Sequence, residues 1–158
     1  MEAMTHRDLQ QFLDTHGVEA TILTLDDHTE TVSAAARALG VETDQIIKSL
    51  VFTAAETPLL VINNGLARID RRKLAAALGV GRRQVKLAEL DRVLALTGYE
   101  VGSMPPFGHR EKLRTLIDPA VIERGELFGG GGSRNAMLRM TSAELLRMTA
   151  GEVLPVSE

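Results

Sequence analysis

The chain has 158 residues, of which 44% are hydrophobic and 25% are charged, and its net charge is −3. These values are typical of one soluble domain that spans residues 1–158, and they exclude a strongly basic nucleic-acid-binding protein. Cysteine is absent, which excludes disulfides, thiolate metal sites and a cysteine nucleophile.

The N-terminal residues 1–10 are polar and charged and lack the apolar core of a signal peptide. No apolar run approaches the length of a membrane span. We therefore expect a cytoplasmic protein without a membrane partner.

Helix and strand patterns follow one another irregularly along the chain. Capping residues and glycine stops predict helices over residues 5–17, 31–40, 70–79 and 88–96, with a last helix that begins at Thr141. Apolar β-rich runs predict strands over residues 20–25, 46–52, 59–62, 113–117, 126–128 and 136–140, with a short one at Val85. Because a regular βαβ alternation is missing, we expect a single α+β domain, a mixed β-sheet flanked by helices.

Residues 98–109 form a segment with three glycines and two adjacent prolines. Glycine permits positive φ and close backbone approach, whereas proline fixes φ and removes a donor. The segment is therefore a rigid loop. It either connects two elements or presents its amides to a carbonyl or phosphate oxygen.

Lys48 lies in the apolar strand pattern of residues 46–52. Its ammonium either reaches solvent at the start of the strand or enters a pocket. A pocket lysine can polarise an ester carbonyl, hold a phosphate or ribose oxygen, or act as a base when desolvated.

The remaining polar residues predict neither a metal site nor a covalent mechanism. The four histidines, at positions 6, 16, 28 and 109, show no metal-ligand spacing, and no nucleophile elbow is present. The glycine run of residues 129–132 lacks the Gly-Lys-Ser/Thr ending of a nucleotide-binding loop. It is either a close approach between strands or a second pocket wall beside the hydroxyl of Ser133. We expect no metal and no cofactor.

Basic residues concentrate in two stretches of this mildly acidic chain. They are either a solvated face or a phosphate-contacting patch. The first stretch comprises Arg68, Arg71, Arg72, Lys73, Arg82, Arg83 and Lys86, and the second comprises Arg110, Lys112 and Arg114.

Several segments in a specific order carry a resemblance to a known family. They are IIKSLVF around Lys48, the GxxxP-type loop of residues 102–106, the glycine stretch from residue 129, TVSAAARALGV at 31–41 and DRRKLAAALG at 70–79. In this combination the chain resembles the YbaK/EbsC aminoacyl-tRNA editing domains, relatives of the insertion domain of bacterial prolyl-tRNA synthetase.

The resemblance implies a free-standing hydrolase that cleaves the ester of a mischarged tRNA by orientation and oxyanion stabilisation. Its partners would be the acceptor end of mischarged aminoacyl-tRNA and prolyl-tRNA synthetase. Lys48 matches the family's pocket lysine, and the loop matches the segment around the scissile carbonyl. The implied catalytic residues are Lys48, Gly102 and Ser103, and the implied substrate-binding residues are Met104, Pro105, Pro106, Gly108, His109, Gly131 and Ser133.

The chain departs from the family pattern in two places. The loop reads Gly-Ser-Met-Pro-Pro-Phe-Gly-His from Gly102, and the glycine run continues as Ser-Arg-Asn-Ala, unlike the cysteine-specific members. These departures argue against specificity for cysteine and leave alanine, serine, threonine and a non-protein amino acid as alternatives for the edited residue. A non-catalytic module that binds tRNA or a synthetase is the main alternative function, and a small-molecule hydrolase is a third.

Overall fold

A computed structural model describes residues 2–158 of the chain. Its α-helices are α1 (His6–His16), α2 (Val32–Leu39), α3 (Arg71–Leu78), α4 (Leu90–Thr97), α5 (Pro119–Ile122) and α6 (Ser142–Thr149). Its strands are β1 (Thr21–Thr24), β2 (Ile47–Ala54), β3 (Thr57–Asn64), β4 (Val85–Leu87), β5 (Thr115–Ile117), β6 (Glu126–Gly130), β7 (Ala136–Thr141) and β8 (Glu152–Val153). The short α5 and β8 have no counterpart among the predicted elements.

The helix starts follow from side-chain caps that the sequence predicts. The side chains of Thr5, Thr31 and Asp70 each accept a backbone N–H of the first turn, which satisfies donors that have no partner inside the helix. At α6 only half of the predicted capping box forms. The Thr141 hydroxyl accepts the Glu144 amide at 3.1 Å, but the Glu144 carboxylate turns instead to the amide of Glu19 at 2.5 Å.

Two sheets form the scaffold, in place of the single mixed sheet predicted. A mixed five-stranded sheet has the order β4-β2-β3-β5-β8, and an antiparallel three-stranded sheet has the order β1-β7-β6. A single bridge between Ile46 and Phe128 joins them. The α+β class is confirmed.

Strand β6 continues further than the sequence predicts. Gly129 and Gly130 pair with Leu138 and Met137 of β7, so the glycine run does not interrupt the strand at its first residue. Gly129 fits there because a β-carbon would lie 3.1 Å from Cγ1 of Ile47, closer than side-chain packing normally allows. The missing side chain therefore lets the two sheets approach each other.

The central strands β2 and β3 are buried on both faces. Side chains alternate between faces along a strand, and Val51 lies in a different apolar cluster from its neighbour Phe52. The cluster of Phe52 includes Leu74 of α3. Lys48 belongs by this alternation to the α3 face, whereas Ser49 belongs to the opposite one.

Within residues 2–158, no helix has the length and apolar character that crossing a membrane requires.

Candidate functional site

A cavity of about 210 Å³ lies beside the first half of β2. Strand β4 does not cover this half, because it pairs with Phe52, Thr53 and Ala54 at the other end of β2. The segment that leads into α2, the strand β2, the loop of residues 98–109, and the strands β6 and β7 border the cavity. Its lining residues are Thr29, Glu30, Thr31, Val32, Ile46, Ile47, Lys48, Ser49, Leu50, Val101, Gly102, Met104, Gly130 and Met137. The structure thus brings Lys48, Gly102 and Met104 to one cavity.

The ammonium of Lys48 is hydrogen-bonded to a backbone carbonyl. Its ammonium donates to the carbonyl oxygen of Ala67, and the side-chain amide of Asn63, which lies opposite on β3, donates to the same oxygen at 3.0 Å. Burial lowers the pKa of Lys48. An ammonium has three donors, and within residues 2–158 only one of them is engaged. The other two have no acceptor among these residues.

The loop holds its backbone in a geometry that favours glycine. Gly102 has φ +98°, a conformation that side chains rarely adopt. Among the described residues, the N–H groups of Gly102 and Met104 donate to no protein acceptor. Both residues line the cavity, as does Val101, whose N–H likewise has no acceptor among the described residues.

Ser103 has different partners from those expected of an oxyanion donor. Its N–H and its hydroxyl both donate to the carbonyl of Glu100, each at 3.3 Å. Its own carbonyl accepts the N–H of Gly132 at 2.9 Å. The buried Ser103 therefore ties the loop to the glycine run, and Met104 rather than Ser103 lines the cavity.

The glycine run packs closely against the loop. A β-carbon on Gly130 would lie 2.2 Å from the carbonyl oxygen of Met104, and one on Gly131 would lie 2.6 Å from the carbonyl carbon of Ala136. Real side chains do not approach backbone this closely. Gly130 lines the cavity, whereas Gly131 does not. The N–H of Gly131 donates to the carbonyl of Ala136.

The second half of the loop faces elsewhere. Pro106, Gly108 and His109 line a separate depression of about 220 Å³, together with Phe12 of α1. His109 Nε2 lies 2.7 Å from the Pro105 carbonyl oxygen, and burial lowers the pKa of His109. The expectation that these residues and Lys48 share a pocket does not match the geometry, because the chain turns away after Met104.

Ser133 also lies outside the cavity. Its hydroxyl accepts the backbone N–H of His6 at 3.0 Å and lies 2.8 Å from Nδ1 of the same histidine. Ser133 therefore holds the start of α1 against the glycine run. Pro105 likewise is not among the residues that line the cavity.

Sequence reasoning missed the wall formed by Thr29, Glu30, Thr31 and Val32. The sequence predicted that a helix starts at Thr31, but no local signal shows that this start faces Gly102. Only the packing of α2 against β6 and β7 places it there, through Ala36, Phe128 and Met137.

The first basic stretch begins next to Lys48. Arg68 directly follows Ala67, whose carbonyl accepts the Lys48 ammonium, and the side chains from Arg68 to Lys86 that carry positive charge are all exposed. In the second stretch, Arg114 forms a two-pronged ion pair with Glu152 at 2.7 and 2.9 Å. The first stretch is therefore the more available to phosphates.

Comparisons with known proteins agree with one another. A family model described as aminoacyl-tRNA editing domain matches residues 26–148. YwhH of Bacillus subtilis is 29% identical over 136 residues, which are 85% of this chain and 85% of YwhH. EbsC of Enterococcus faecalis, whose name gives it as a candidate Cys-tRNA(Pro)/Cys-tRNA(Cys) deacylase, is 26% identical over 84% of this chain and 79% of its own length.

Two further comparisons concern prolyl-tRNA synthesis. The proline–tRNA ligase of Ligilactobacillus salivarius is 32% identical over 56% of this chain, but the match spans 15% of that enzyme. A crystal structure described as a candidate trans-editing enzyme for prolyl-tRNA synthetase superimposes with a TM-score of 0.90 and 32% identity, over 97% of this chain and 96% of the other.

Proposed function

Because the chain belongs to the aminoacyl-tRNA editing domain family, we propose that it is a free-standing deacylase of mischarged aminoacyl-tRNA, of the tRNA(Pro) type. One editing domain spans residues 1–158 and acts in the cytoplasm, where aminoacyl-tRNA is found. The observation that carries the proposal is the cavity itself, which Lys48, Gly102 and Met104 line together. Relatives named for deacylation of Cys-tRNA(Pro) and for trans-editing support it.

The chemistry requires no covalent nucleophile. An aminoacyl ester is already activated, so orientation of the substrate and stabilisation of the developing oxyanion suffice for hydrolysis. The described residues that line the cavity include neither histidine nor cysteine. Among the described residues of the lining, the hydroxyls belong to Thr29, Thr31 and Ser49, and no histidine lies there to activate them, so the proposed nucleophile is water.

In the proposed reaction, Lys48 holds the terminal ribose or the ester carbonyl oxygen with its remaining N–H donors. Water adds to the carbonyl carbon, and the oxyanion that forms accepts the N–H groups of Gly102 and Met104. The bond from the carbonyl carbon to the ribose oxygen then breaks. The proton of the attacking water passes to the departing ribose oxygen through solvent, which releases the amino acid and the intact tRNA.

The size of the cavity favours a small amino acid. A volume of about 210 Å³ must hold the ester and the side chain, and apolar groups of Val32, Ile47, Met104 and Met137 line it. A pocket of this kind excludes large side chains by size but separates residues that differ by one methylene only weakly. Alanine, cysteine, serine and threonine are therefore the residues to test.

The exposed basic side chains after Ala67 are the proposed contact for the acceptor stem. They start beside Lys48 and continue over α3, so phosphates bound there would direct the aminoacylated end toward the cavity. The match to a segment of proline–tRNA ligase makes prolyl-tRNA synthetase the proposed protein partner.

A deacylation screen tests the proposal. Purified protein is incubated with Cys-, Ala-, Ser- and Thr-charged tRNA(Pro), and the same amino acids on their cognate tRNAs serve as controls. We expect turnover of at least one tRNA(Pro) ester well above its spontaneous hydrolysis. Salt-sensitive tRNA binding without any turnover would contradict the deacylase and would indicate the non-catalytic binding module instead.

A further inference from the structure

The cavity carries one negative and one positive side chain. Among the described residues that line it, Glu30 is the sole carboxylate and Lys48 the sole ammonium. Glu30 comes from the segment that leads into α2, and Lys48 comes from β2. The end of an aminoacyl-tRNA carries the complementary pair of charges, a positive α-ammonium on the amino acid and negative phosphates on the nucleotides.

Glu30 lies directly beside the loop that the proposed mechanism uses. A β-carbon built on Gly102 would lie 3.9 Å from both Cγ and Oε2 of Glu30. The carboxylate therefore lies close to the Gly102 backbone, which is proposed to hold the ester carbonyl. In an aminoacyl ester the α-ammonium is attached to the carbon next to that carbonyl. A carbonyl bound at Gly102 therefore brings the ammonium close to Glu30.

The existing contacts of Glu30 are long and involve only one of its two carboxylate oxygens. Nδ1 of His28 lies 3.6 Å and Nη1 of Arg134 lies 3.7 Å from the same oxygen, Oε1. Both distances exceed those of good hydrogen bonds, and all three side chains are substantially exposed, so the pairs contribute little. Oε2, on the Gly102 side, has no hydrogen-bond donor among the described residues.

We propose that Glu30 binds the α-ammonium of the aminoacyl ester, and this inference rests on the proposed function. A hydrogen bond between a carboxylate and an ammonium is stronger than one between neutral groups. Glu30 therefore selects esters with a free α-ammonium and discriminates against esters without one, such as N-acylated and peptidyl esters. No local pattern in the sequence assigns it this role.

The test pairs a protein variant with a substrate variant. Glu30→Gln keeps the shape of the side chain and removes its charge. The substrates are the tRNA(Pro) ester that the wild-type protein cleaves fastest and its α-hydroxy analogue, for example Ala-tRNA(Pro) and lactyl-tRNA(Pro). The α-hydroxy ester has nearly the same size but lacks the ammonium. The measured quantity is kcat/KM of both proteins on both esters.

We expect Glu30→Gln to lower kcat/KM on the aminoacyl ester by about 10- to 100-fold, and to change it less than about twofold on the α-hydroxy ester. Glu100→Gln is the matched control, because Glu100 also faces Arg134, at 4.0 Å, but does not line the cavity. It should leave both values unchanged.

Two results would overturn the inference while the proposed function stands. An equal loss on both esters would assign Glu30 a structural role, and no loss on either would place the ammonium elsewhere. If the wild-type protein cleaves no tRNA ester, the proposed function itself fails, and the role of Glu30 fails with it.

Discussion

At the scale of single residues, the contacts of Lys48 explain how a lysine is accommodated in an otherwise apolar strand. Its side chain lies on the α3 face of β2, where the carbonyl of Ala67 and the amide of Asn63 form a polar corner. Burial there lowers the pKa of Lys48, since a partly desolvated ammonium loses favourable hydration. The local conflict between charge and hydrophobic neighbours thus marks a polar site on the α3 face of β2.

Replacement of Lys48 tests its role in the reaction. Lys48→Met keeps the length and apolar stem of the side chain but removes its N–H donors. We expect kcat/KM for deacylation to fall at least about 100-fold, while the melting temperature stays the same or rises slightly, because a desolvated charge is removed. Deacylation kinetics and thermal unfolding monitored by circular dichroism measure both quantities.

Arg37→Met provides the control for Lys48→Met, because Arg37 is an exposed cation on α2 that does not line the cavity. It should leave the rate unchanged. Full activity of Lys48→Met would remove Lys48 from the mechanism.

At the scale of elements, the position of the loop depends on its contact with β6. The carbonyl of Met104 lies where a side chain of residue 130 would begin. Only a glycine at this position allows the loop to lie this close to the strand. The cavity is therefore a product of packing between two elements that are distant in sequence.

Gly130→Ala tests this packing. The added methyl group would lie 2.2 Å from the Met104 oxygen, so the loop must move away. We expect the free energy of unfolding to fall by about 1–3 kcal/mol. We also expect kcat/KM for deacylation to fall, because the loop at the cavity is displaced. Gly125→Ala, just before the same strand, is the control, because its β-carbon would meet no atom within 4 Å. Equal stabilities of the two variants in urea unfolding would show that this contact is not close.

A second element-scale contact joins α6 to the segment between α1 and β1. Arg147 donates two hydrogen bonds to the Glu144 carboxylate, at 2.5 and 2.7 Å, and the amide of Glu19 donates a third at 2.5 Å. These bonds lower the pKa of Glu144 to about 2, and those from Arg147 have the largest effect. The carboxylate is therefore more acidic in the folded than in the unfolded protein.

This pKa predicts how stability depends on pH. A lowered folded-state pKa stabilises the protein fully above the usual pKa of 4.5, and this contribution disappears as the pH falls toward about 2. We expect Glu144→Gln to be about 2 kcal/mol less stable than the wild-type protein at pH 7, with the difference shrinking below pH 4.5. Urea unfolding across this pH range measures the difference, and a constant difference at every pH would contradict the assignment.

At the scale of the whole molecule, charge is distributed unevenly on a chain whose net charge is −3. The exposed cations that follow Ala67 lie on and around α3, whose apolar side packs on the central sheet through Leu74 and Ala75. This arrangement combines a fixed helix with a solvent-facing row of positive charge. Such a row suits a phosphate backbone that is bound without base recognition.

The double variant Arg71→Ala/Arg72→Ala tests the row. We expect the KM for the tRNA ester to rise several-fold at low salt, and the slope of log KM against log salt concentration to fall by about 1–2. Arg7→Ala/Arg37→Ala removes the same charge from exposed positions elsewhere and should change neither quantity. Identical effects of the two double variants would indicate a response to net charge rather than to a local tRNA contact.

Much of the local structure was predictable from sequence. The caps at Thr5, Thr31 and Asp70 and the positions of the central strands are confirmed, because each depends on residues within one or two turns. The split into two sheets was not predictable, because strand pairing depends on which distant segments meet. The continuation of β6 through Gly129 and Gly130 was missed for the same reason: glycine weakens the local strand signal, and only Ile47 and Met104 show why glycine is required.

The sequence by itself determined the family resemblance, the α+β class, the lysine in the apolar strand and the rigid loop. These are properties of residue type and short-range spacing. Only the tertiary structure decided which loop residues face the cavity, because the chain turns after Met104 and carries His109 to another depression. It also decided that Ser103 hydrogen-bonds Glu100, that Ser133 hydrogen-bonds His6, and that Glu30 lines the cavity. Side-chain direction and hydrogen-bond partners depend on contacts between segments up to 127 residues apart, and no local pattern contains that information.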